Sequence, residues 1–190
     1  MTIVVPAAQY AIVAPSTGVM AAHFREFLAA LVANPEAVSG PSFIRDGIKR
    51  DVSMIRVTFD LVPATDNVSL HLIARTGAGV DVTAYSWSRT YNDAATTVAS
   101  VTDTSDPQII LAAAVQSDAS VGGISGEVLI HNIQSARYKR VTGAVAHYDG
   151  SRERVGGIAG RIDTAEPITG IKLLFSSGDI ASGLVKVDAT

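Results

Sequence analysis

The sequence contains no cysteine, which excludes a disulfide framework and any metal site built on thiolates. Charged residues make up only 17% of the 190 residues and the net charge is −3, so the composition does not favour electrostatic binding to nucleic acid. No hydrophobic run approaches the roughly 18 consecutive apolar residues of a membrane-spanning helix. Gln9 and Pro15 interrupt the apolar start, so we expect no secretory signal peptide. Burial and hydrogen bonding alone must stabilise the fold, and we expect assembly in a reducing compartment.

The first 50 residues differ in pattern from the rest of the chain. Pro6 and Pro15 interrupt residues 1–16 and exclude a helix there, so we predict an extended apolar arm. Residues 17–34 repeat apolar side chains at helical spacing, which predicts one α-helix. Arm and helix together are predicted to serve attachment and oligomerisation, and residues 36–50 are predicted to be a loop. The helix side chains expected at that contact are Phe24, Phe27 and Leu31.

From residue 51 to residue 190 the pattern changes to period two. Ile55, Val57, Phe59 and Leu61 alternate with other side chains, as in a strand with one buried face. Similar segments follow, separated by turns, with no helical pattern between them. We therefore predict a mainly β domain, an antiparallel jelly-roll-like β-sandwich. The other predicted strands are residues 68–72, 80–88, 96–101, 108–115, 127–133, 138–147, 157–162, 168–176 and 184–187.

The sequence shows no pattern typical of an enzyme or a cofactor site. Residues 122–126 are similar to part of the Gly-x-Ser-x-Gly turn of hydrolases, but Glu127 stands where the last glycine is needed. The four histidines are far apart, and none forms a short ligand pair such as His-Glu-x-x-His. Only a pairing of adjacent strands would bring His131 and His147 together. We expect no metal, no cofactor and no catalytic residues, so an enzyme is not predicted.

Two groups of residues are candidates for contact with a partner, and each has two interpretations. Tyr85 and Trp87 share one face of a predicted strand, where aromatic rings either pack in the core or stack on sugar rings. Arg152 and Arg154 belong to a charged hairpin tip, residues 149–154. That tip is either a solvated turn or a contact loop for a partner subunit or a glycan. The sequence alone leaves both pairs of alternatives open.

The C-terminal residues 168–190 predict a hairpin. An alternating strand leads into a polar turn, residues 176–179, in which Gly178 is free to adopt a positive φ. The second strand is interrupted at Ser182 and Gly183. A glycine at such a point predicts a β-bulge or the close approach of a neighbouring backbone.

The same hairpin carries a resemblance to a known group of proteins. The segment Phe175–Gly183 reads FSSGDIASG. It is similar to the sequence F-S-S-G-N-I-A-S-G near the end of small β-sandwich domains in structural proteins of tailed bacteriophages and gene-transfer-agent-like particles, described as tail-fibre or head-spike proteins. Three further segments fit in the family's order, and the resemblance spans residues 50–190. They are Leu61–Leu70, Gly123–Asn132 and Tyr138–Thr142.

The resemblance implies a structural accessory protein of a phage-like particle: a head-spike base, a decoration protein or a small fibre adaptor. Such a protein is expected on the virion surface after assembly in the bacterial cytoplasm, attached to capsid or tail proteins through its N-terminal segment. We expect a homo-oligomer, a pentamer at a capsid vertex or a trimer in a fibre. Its outward partners would be a further spike or fibre subunit or a cell-surface glycan. The alternative is a carbohydrate-binding receptor-recognition module, the adhesin head of a tail fibre.

Overall fold

The computed structural model describes residues 35–94, 97–118, 120 and 122–190. Over these residues the protein is mainly β, with antiparallel strand pairs in two sheets that form a sandwich. The fold class predicted from the period-two pattern is therefore confirmed. The predicted arm and helix, together with the contact residues Phe24, Phe27 and Leu31, lie outside the described residues.

The described residues form thirteen strands and one short 3-10 turn at Gly77–Gly79. The strands are β1 (Glu36–Ala37), β2 (Phe43–Arg45), β3 (Met54–Pro63), β4 (Val68–Thr76), β5 (Val80–Asp81), β6 (Tyr85–Ala94), β7 (Thr97–Asp106), β8 (Ile109–Val115), β9 (Ile124–His131), β10 (Lys139–Tyr148), β11 (Glu153–Ile162), β12 (Gly170–Phe175) and β13 (Ile180–Ala189).

The two sheets differ in width. The long sheet has eight strands in the order β1-β13-β3-β9-β10-β11-β6-β7, and the short sheet has the order β2-β12-β4-β5, with β8 also paired to β4. Strand β8 lies across from β6 and β10 of the long sheet. Strand β7 forms one edge of the long sheet, and β8 lies at an edge of the short sheet, where among the described residues it pairs only with β4.

The core lies between the sheets and follows the predicted alternation. On β3, Ile55, Val57, Phe59 and Leu61 are buried whereas Arg56 is exposed. Burying a side chain of this size contributes roughly 1.5–3 kcal/mol relative to leaving it in water, so the inward rows supply most of the stabilising free energy. The short sheet and the central strands contribute the facing rows, which include Leu70, Leu72, Ile109, Leu111, Val128, Ile130, Ile171, Leu173 and Phe175.

Two segments differ from the sequence predictions. Residues 36–50, predicted as a loop, contain β1 and β2, which pair with β13 and β12. Residues 80–88, predicted as one strand, are divided between β5 in the short sheet and the start of β6 in the long sheet. Alternation reports that a face is buried, but it carries no information about which sheet a segment joins.

The C-terminal hairpin has the predicted details. Gly178 adopts a φ of 68° in the turn between β12 and β13. The pairing of β13 with β3 shifts register between Ile180 and Ser182. A side chain at Gly183 would place its Cβ 2.3 Å from the carbonyl oxygen of Asp60. The predicted bulge and the predicted close backbone approach therefore occur together, and both explain why residue 183 is a glycine.

Candidate functional site

A cleft of about 120 Å³ lies between β8 of the short sheet and three strands of the long sheet. Strands β6, β10 and β11 form one wall and β8 forms the other. We call it the arginine cleft because two guanidinium groups line it. Its lining residues are Arg89, Tyr91, Ala113, Ala114, Val145, His147, Arg154 and Gly156.

A bulge in β8 shapes one wall of the arginine cleft. Val68 pairs with Val115 and Leu70 pairs with Ala112, so two residues of β8 stand opposite one residue of β4. Within this bulge Ala114 has a φ of 60°. That left-handed conformation costs an alanine about 1–2 kcal/mol. Strained backbone of this kind is concentrated at functional sites, and here it borders the cleft.

His147 lies on the opposite wall and contacts the bulge. Its Nε2 lies 2.9 Å from the carbonyl oxygen of Ala113, and a carbonyl only accepts hydrogen bonds, so Nε2 carries the proton. Burial lowers the pKa of His147 to about 4. The hydrogen bond to Ala113 opposes this shift, whereas the positive charge of Arg89 reinforces it. The ring is therefore neutral at pH 7. Nδ1 is a buried acceptor with no hydrogen-bond donor among the described residues.

Arg89 is the more buried of the two cleft arginines. Its side chain is 8% exposed, and its guanidinium carbon lies 5.4 Å from the ring centroid of Tyr91 and 6.0 Å from that of Trp87. Burial lowers the pKa of Arg89, with Tyr91 opposing the shift and Arg154 reinforcing it. Its Nη1 is buried and has no acceptor within the described part of the chain. The cleft thus holds a cation whose hydrogen-bonding capacity is incompletely used.

Arg154 also lies against the Tyr91 ring, but it forms an ion pair with a carboxylate. Its guanidinium carbon lies 5.0 Å from the Tyr91 centroid, and its Nε donates to Oδ2 of Asp149 at 2.5 Å. The other oxygen of Asp149 accepts the backbone N–H groups of Ser151 and Arg152, each at 2.9 Å. These donors hold the pKa of Asp149 well below its usual range despite burial. The hairpin tip is therefore an ordered turn that fixes Arg154 beside Tyr91.

The structure separates the four residues predicted as partner or glycan contacts. Arg154 lines the arginine cleft, whereas the Arg152 side chain is exposed on the hairpin tip. Tyr85 and Trp87 are only 1% and 5% exposed, and the Tyr85 hydroxyl accepts the backbone N–H of Ala74 at 2.8 Å. Both rings belong to the core. Neither presents a face to a sugar, so the core interpretation is the correct one for this pair.

His131 and His147, which a pairing of adjacent strands could have brought together, do not meet in the structure. His131 pairs with Arg140 at one end of the β9–β10 ladder, and His147 pairs with Ile124 at the other end. The strands are neighbours, as the hypothesis required, but the antiparallel register places the two rings far apart along the pair.

Sequence reasoning missed Arg89 and the role of His147. A signal for Arg89 was present, because the alternation that places Tyr85 and Trp87 on the inward face continues to Arg89 and Tyr91. A charged residue in an inward row indicates either a partner or a site. No comparable signal exists for His147, since the carbonyl that it contacts depends on the bulge in a distant strand.

The described residues contain no group of three or more His, Cys, Asp or Glu side chains placed to hold a metal ion. In the same part of the chain, no helix has the length and apolar character required to cross a membrane. Comparison of the chain with protein families, curated proteins and solved structures gave no match. The resemblance to phage-particle proteins therefore rests on the four sequence segments alone.

Proposed function

We propose that the protein is a structural accessory protein of a phage-like particle, a head-spike base, decoration protein or small fibre adaptor. In this proposal the N-terminal segment that precedes the sandwich attaches it to capsid or tail proteins on the virion, and the β-sandwich is displayed outward as part of a homo-oligomer, a pentamer or a trimer. The protein is not proposed to be an enzyme. The fold alone does not assign this role, so the support comes from particular surfaces and segments.

The observation that carries the proposal is the edge of the long sheet. Strand β7 is ten residues long, and no other strand of the described residues pairs with its outer side. Most of its side chains are exposed, including Val98 at 74% and Val101 at 38%. A long unpaired edge with exposed valines promotes strand addition, which isolated proteins normally prevent with proline, lysine or covering loops. Such an edge suits a protein that works inside an assembly.

The positions of the four resemblance segments add support. Segment Leu61–Leu70 contacts segment Phe175–Gly183, since the Ala64 N–H donates to the Asp179 carbonyl at 2.8 Å. Segments Gly123–Asn132 and Tyr138–Thr142 pair through β9 and β10, with Val141 opposite Ile130. The first pair joins segments that are distant in sequence, and the second pair joins segments that are neighbours along the chain. This is expected if the resemblance reflects one shared domain rather than four unrelated matches.

Locating the protein in purified particles tests the proposal. A tag at the exposed C-terminal Thr190 would be detected by gold labelling and imaging of intact particles. We expect the full chain on the particle surface and a variant without residues 1–16 to remain folded but absent from particles. Absence of the full chain from purified particles would contradict the proposal. Full incorporation of the shortened chain would place attachment in the sandwich instead.

The homo-oligomer is tested separately by light scattering. Val98→Lys places a charge on the β7 edge and should reduce self-association of the full chain. Val80→Lys is the matched control, because Val80 is also an exposed valine but lies in β5 of the short sheet. Equal effects of the two substitutions would exclude the β7 edge as the subunit contact.

A carbohydrate-binding receptor-recognition role is the second candidate, and the arginine cleft favours it. Tyr85 and Trp87 are buried and do not provide an aromatic platform for that role. The cleft instead offers a concave site with convergent polar groups, the usual form of a small-ligand site. Its ligand would be recognised by charge and hydrogen bonding rather than by stacking, because two guanidinium groups already lie against Tyr91.

A further inference from the structure

We propose that the arginine cleft binds a hydroxycarboxylic acid, with the carboxylate at Arg89 and a neighbouring hydroxyl at His147. The ligand is either a free hydroxy acid or the acidic sugar of a polysaccharide, which share this chemistry. The inference rests on the second candidate function, for which it names a ligand class, and is independent of the particle role.

The charges in the cleft indicate an anionic ligand. Arg89 and Arg154 lie against the same ring, at 5.4 and 5.0 Å from the Tyr91 centroid. Asp149 is within ion-pair distance of Arg154, whereas Nη1 of Arg89 has no hydrogen-bond acceptor among the described residues. A buried cation without a counter-charge is unfavourable. An incoming carboxylate would supply that charge and an acceptor for the buried Nη1 of Arg89.

The imidazole of His147 indicates a second, different group on the ligand. Because Nε2 donates to the Ala113 carbonyl, Nδ1 is left as an acceptor. This nitrogen is buried without a donor among the described residues. A second carboxylate oxygen could not satisfy it, since a carboxylate only accepts hydrogen bonds. A hydroxyl group donates, so a ligand that carries a carboxylate and a neighbouring hydroxyl satisfies both Arg89 and His147.

The size of the cleft limits how much of the ligand it encloses. Its volume of about 120 Å³ exceeds the ~10–15 Å³ needed for one water. It is smaller than the ~300–1,000 Å³ of sites that enclose a whole drug-sized molecule. The cleft therefore holds the acidic end of a ligand and leaves the remainder outside, as the end of a larger saccharide would require.

The experiment is an NMR titration of the purified full-length chain with four probes. Lactate and glucuronate carry a carboxylate with a neighbouring hydroxyl, propionate carries only the carboxylate, and glucose carries only hydroxyls. We expect the Gly156 amide and the Val145 methyl signals to shift, and lactate or glucuronate to bind about tenfold or more tightly than propionate and glucose. Tighter binding of glucuronate would indicate the acidic sugar, and tighter binding of lactate the free hydroxy acid. Propionate binding as tightly as both, or no binding of either hydroxy acid, would overturn the proposal.

Substitutions of Arg89 and His147 test whether these two side chains bind the ligand. Arg89→Gln should weaken glucuronate binding about tenfold or more, because a charge-assisted hydrogen bond is lost. Arg161→Gln is the matched control, since Arg161 also lies over a tyrosine ring, that of Tyr138 at 4.2 Å, but outside the cleft. His147→Phe should abolish the preference for lactate over propionate. Equal binding by the Arg89 variant and the wild type would overturn the assignment.

The titration of the wild-type protein keeps the proposal testable if a cleft variant does not fold. Particle incorporation of the Arg89 variant, measured in parallel, separates the two functions. Normal incorporation with lost ligand binding would support the cleft assignment and leave the particle role intact. Absence of ligand binding by the wild-type protein would remove the cleft assignment without affecting the particle role.

Discussion

Protonation of His147 should make the fold sensitive to pH between about 4 and 6.5. Burial lowers the pKa of this imidazole from its ordinary 6.5 to about 4 in the folded protein. Between these values the unfolded chain binds a proton that the folded chain does not, so the free energy of unfolding falls as pH decreases. A shift of this size corresponds to about 3 kcal/mol, because one pKa unit is worth about 1.4 kcal/mol.

The assay is urea unfolding at pH 7.5 and pH 4.5, followed by the fluorescence of the single tryptophan, Trp87, which is buried. We expect the wild type to lose a large part of the ~3 kcal/mol at the lower pH. His147→Gln keeps an N–H for the Ala113 carbonyl but cannot titrate in this range, so it should show a smaller loss. His131→Gln, which removes an imidazole from the neighbouring strand, is the control.

Other titratable side chains also affect the pH dependence of stability. Burial also lowers the pKa of His71, so that residue contributes with the same sign and some pH dependence should remain in the His147 variant. The pKa of Asp149 and that of Asp81 are lowered below the ordinary 3.8. The stability that these carboxylates contribute is present above that value and is lost only at lower pH. Equal losses between pH 7.5 and 4.5 for the wild type and His147→Gln would refute the reasoning.

Two further substitutions test the packing of the sandwich and the order of the hairpin. Gly126→Ala would place a Cβ 2.7 Å from the Ala144 carbonyl oxygen and should lower the free energy of unfolding by about 1–3 kcal/mol. Gly77→Ala is the control, because a Cβ there meets nothing within 4 Å, and it should leave the thermal midpoint nearly unchanged. Similar thermal midpoints for the two variants would contradict this prediction. Asp149→Asn removes the buried charge that holds Arg154 and should cost about 2 kcal/mol in urea unfolding; an unchanged midpoint would mean that the turn is held by its backbone alone.

The parts of the fold that follow local rules could be predicted from the sequence. The buried row Ile55, Val57, Phe59 and Leu61 follows from alternation, because one face of the strand is covered by the other sheet. The turn at Gly178 follows from the conformational freedom of glycine. Such features depend on a few neighbouring residues, so a single sequence contains the information that determines them.

The parts that depend on strand pairing could not be predicted. Whether residues 80–88 form one strand or two is decided by the sheet that each half joins. The separation of His131 and His147 is decided by the register of β9 against β10. Pairing partners and register are set by long-range packing. A pattern of alternating residues indicates which face of a strand is buried, but it does not indicate which strands lie beside it.

The arginine cleft lies where β8 of the short sheet faces β6, β10 and β11 of the long sheet. Along β6 the inward residues change from buried aromatic rings at Tyr85 and Trp87 to Arg89 and then to half-buried Tyr91. On β7 the residue opposite Arg89 is Val101, which is 38% exposed on the edge strand of the long sheet. At this boundary Arg89 is buried and its side chain lines the cleft. The edge of the sandwich thus combines concave shape with positive charge, and this is why we place the ligand there and not on the polar turns at its ends.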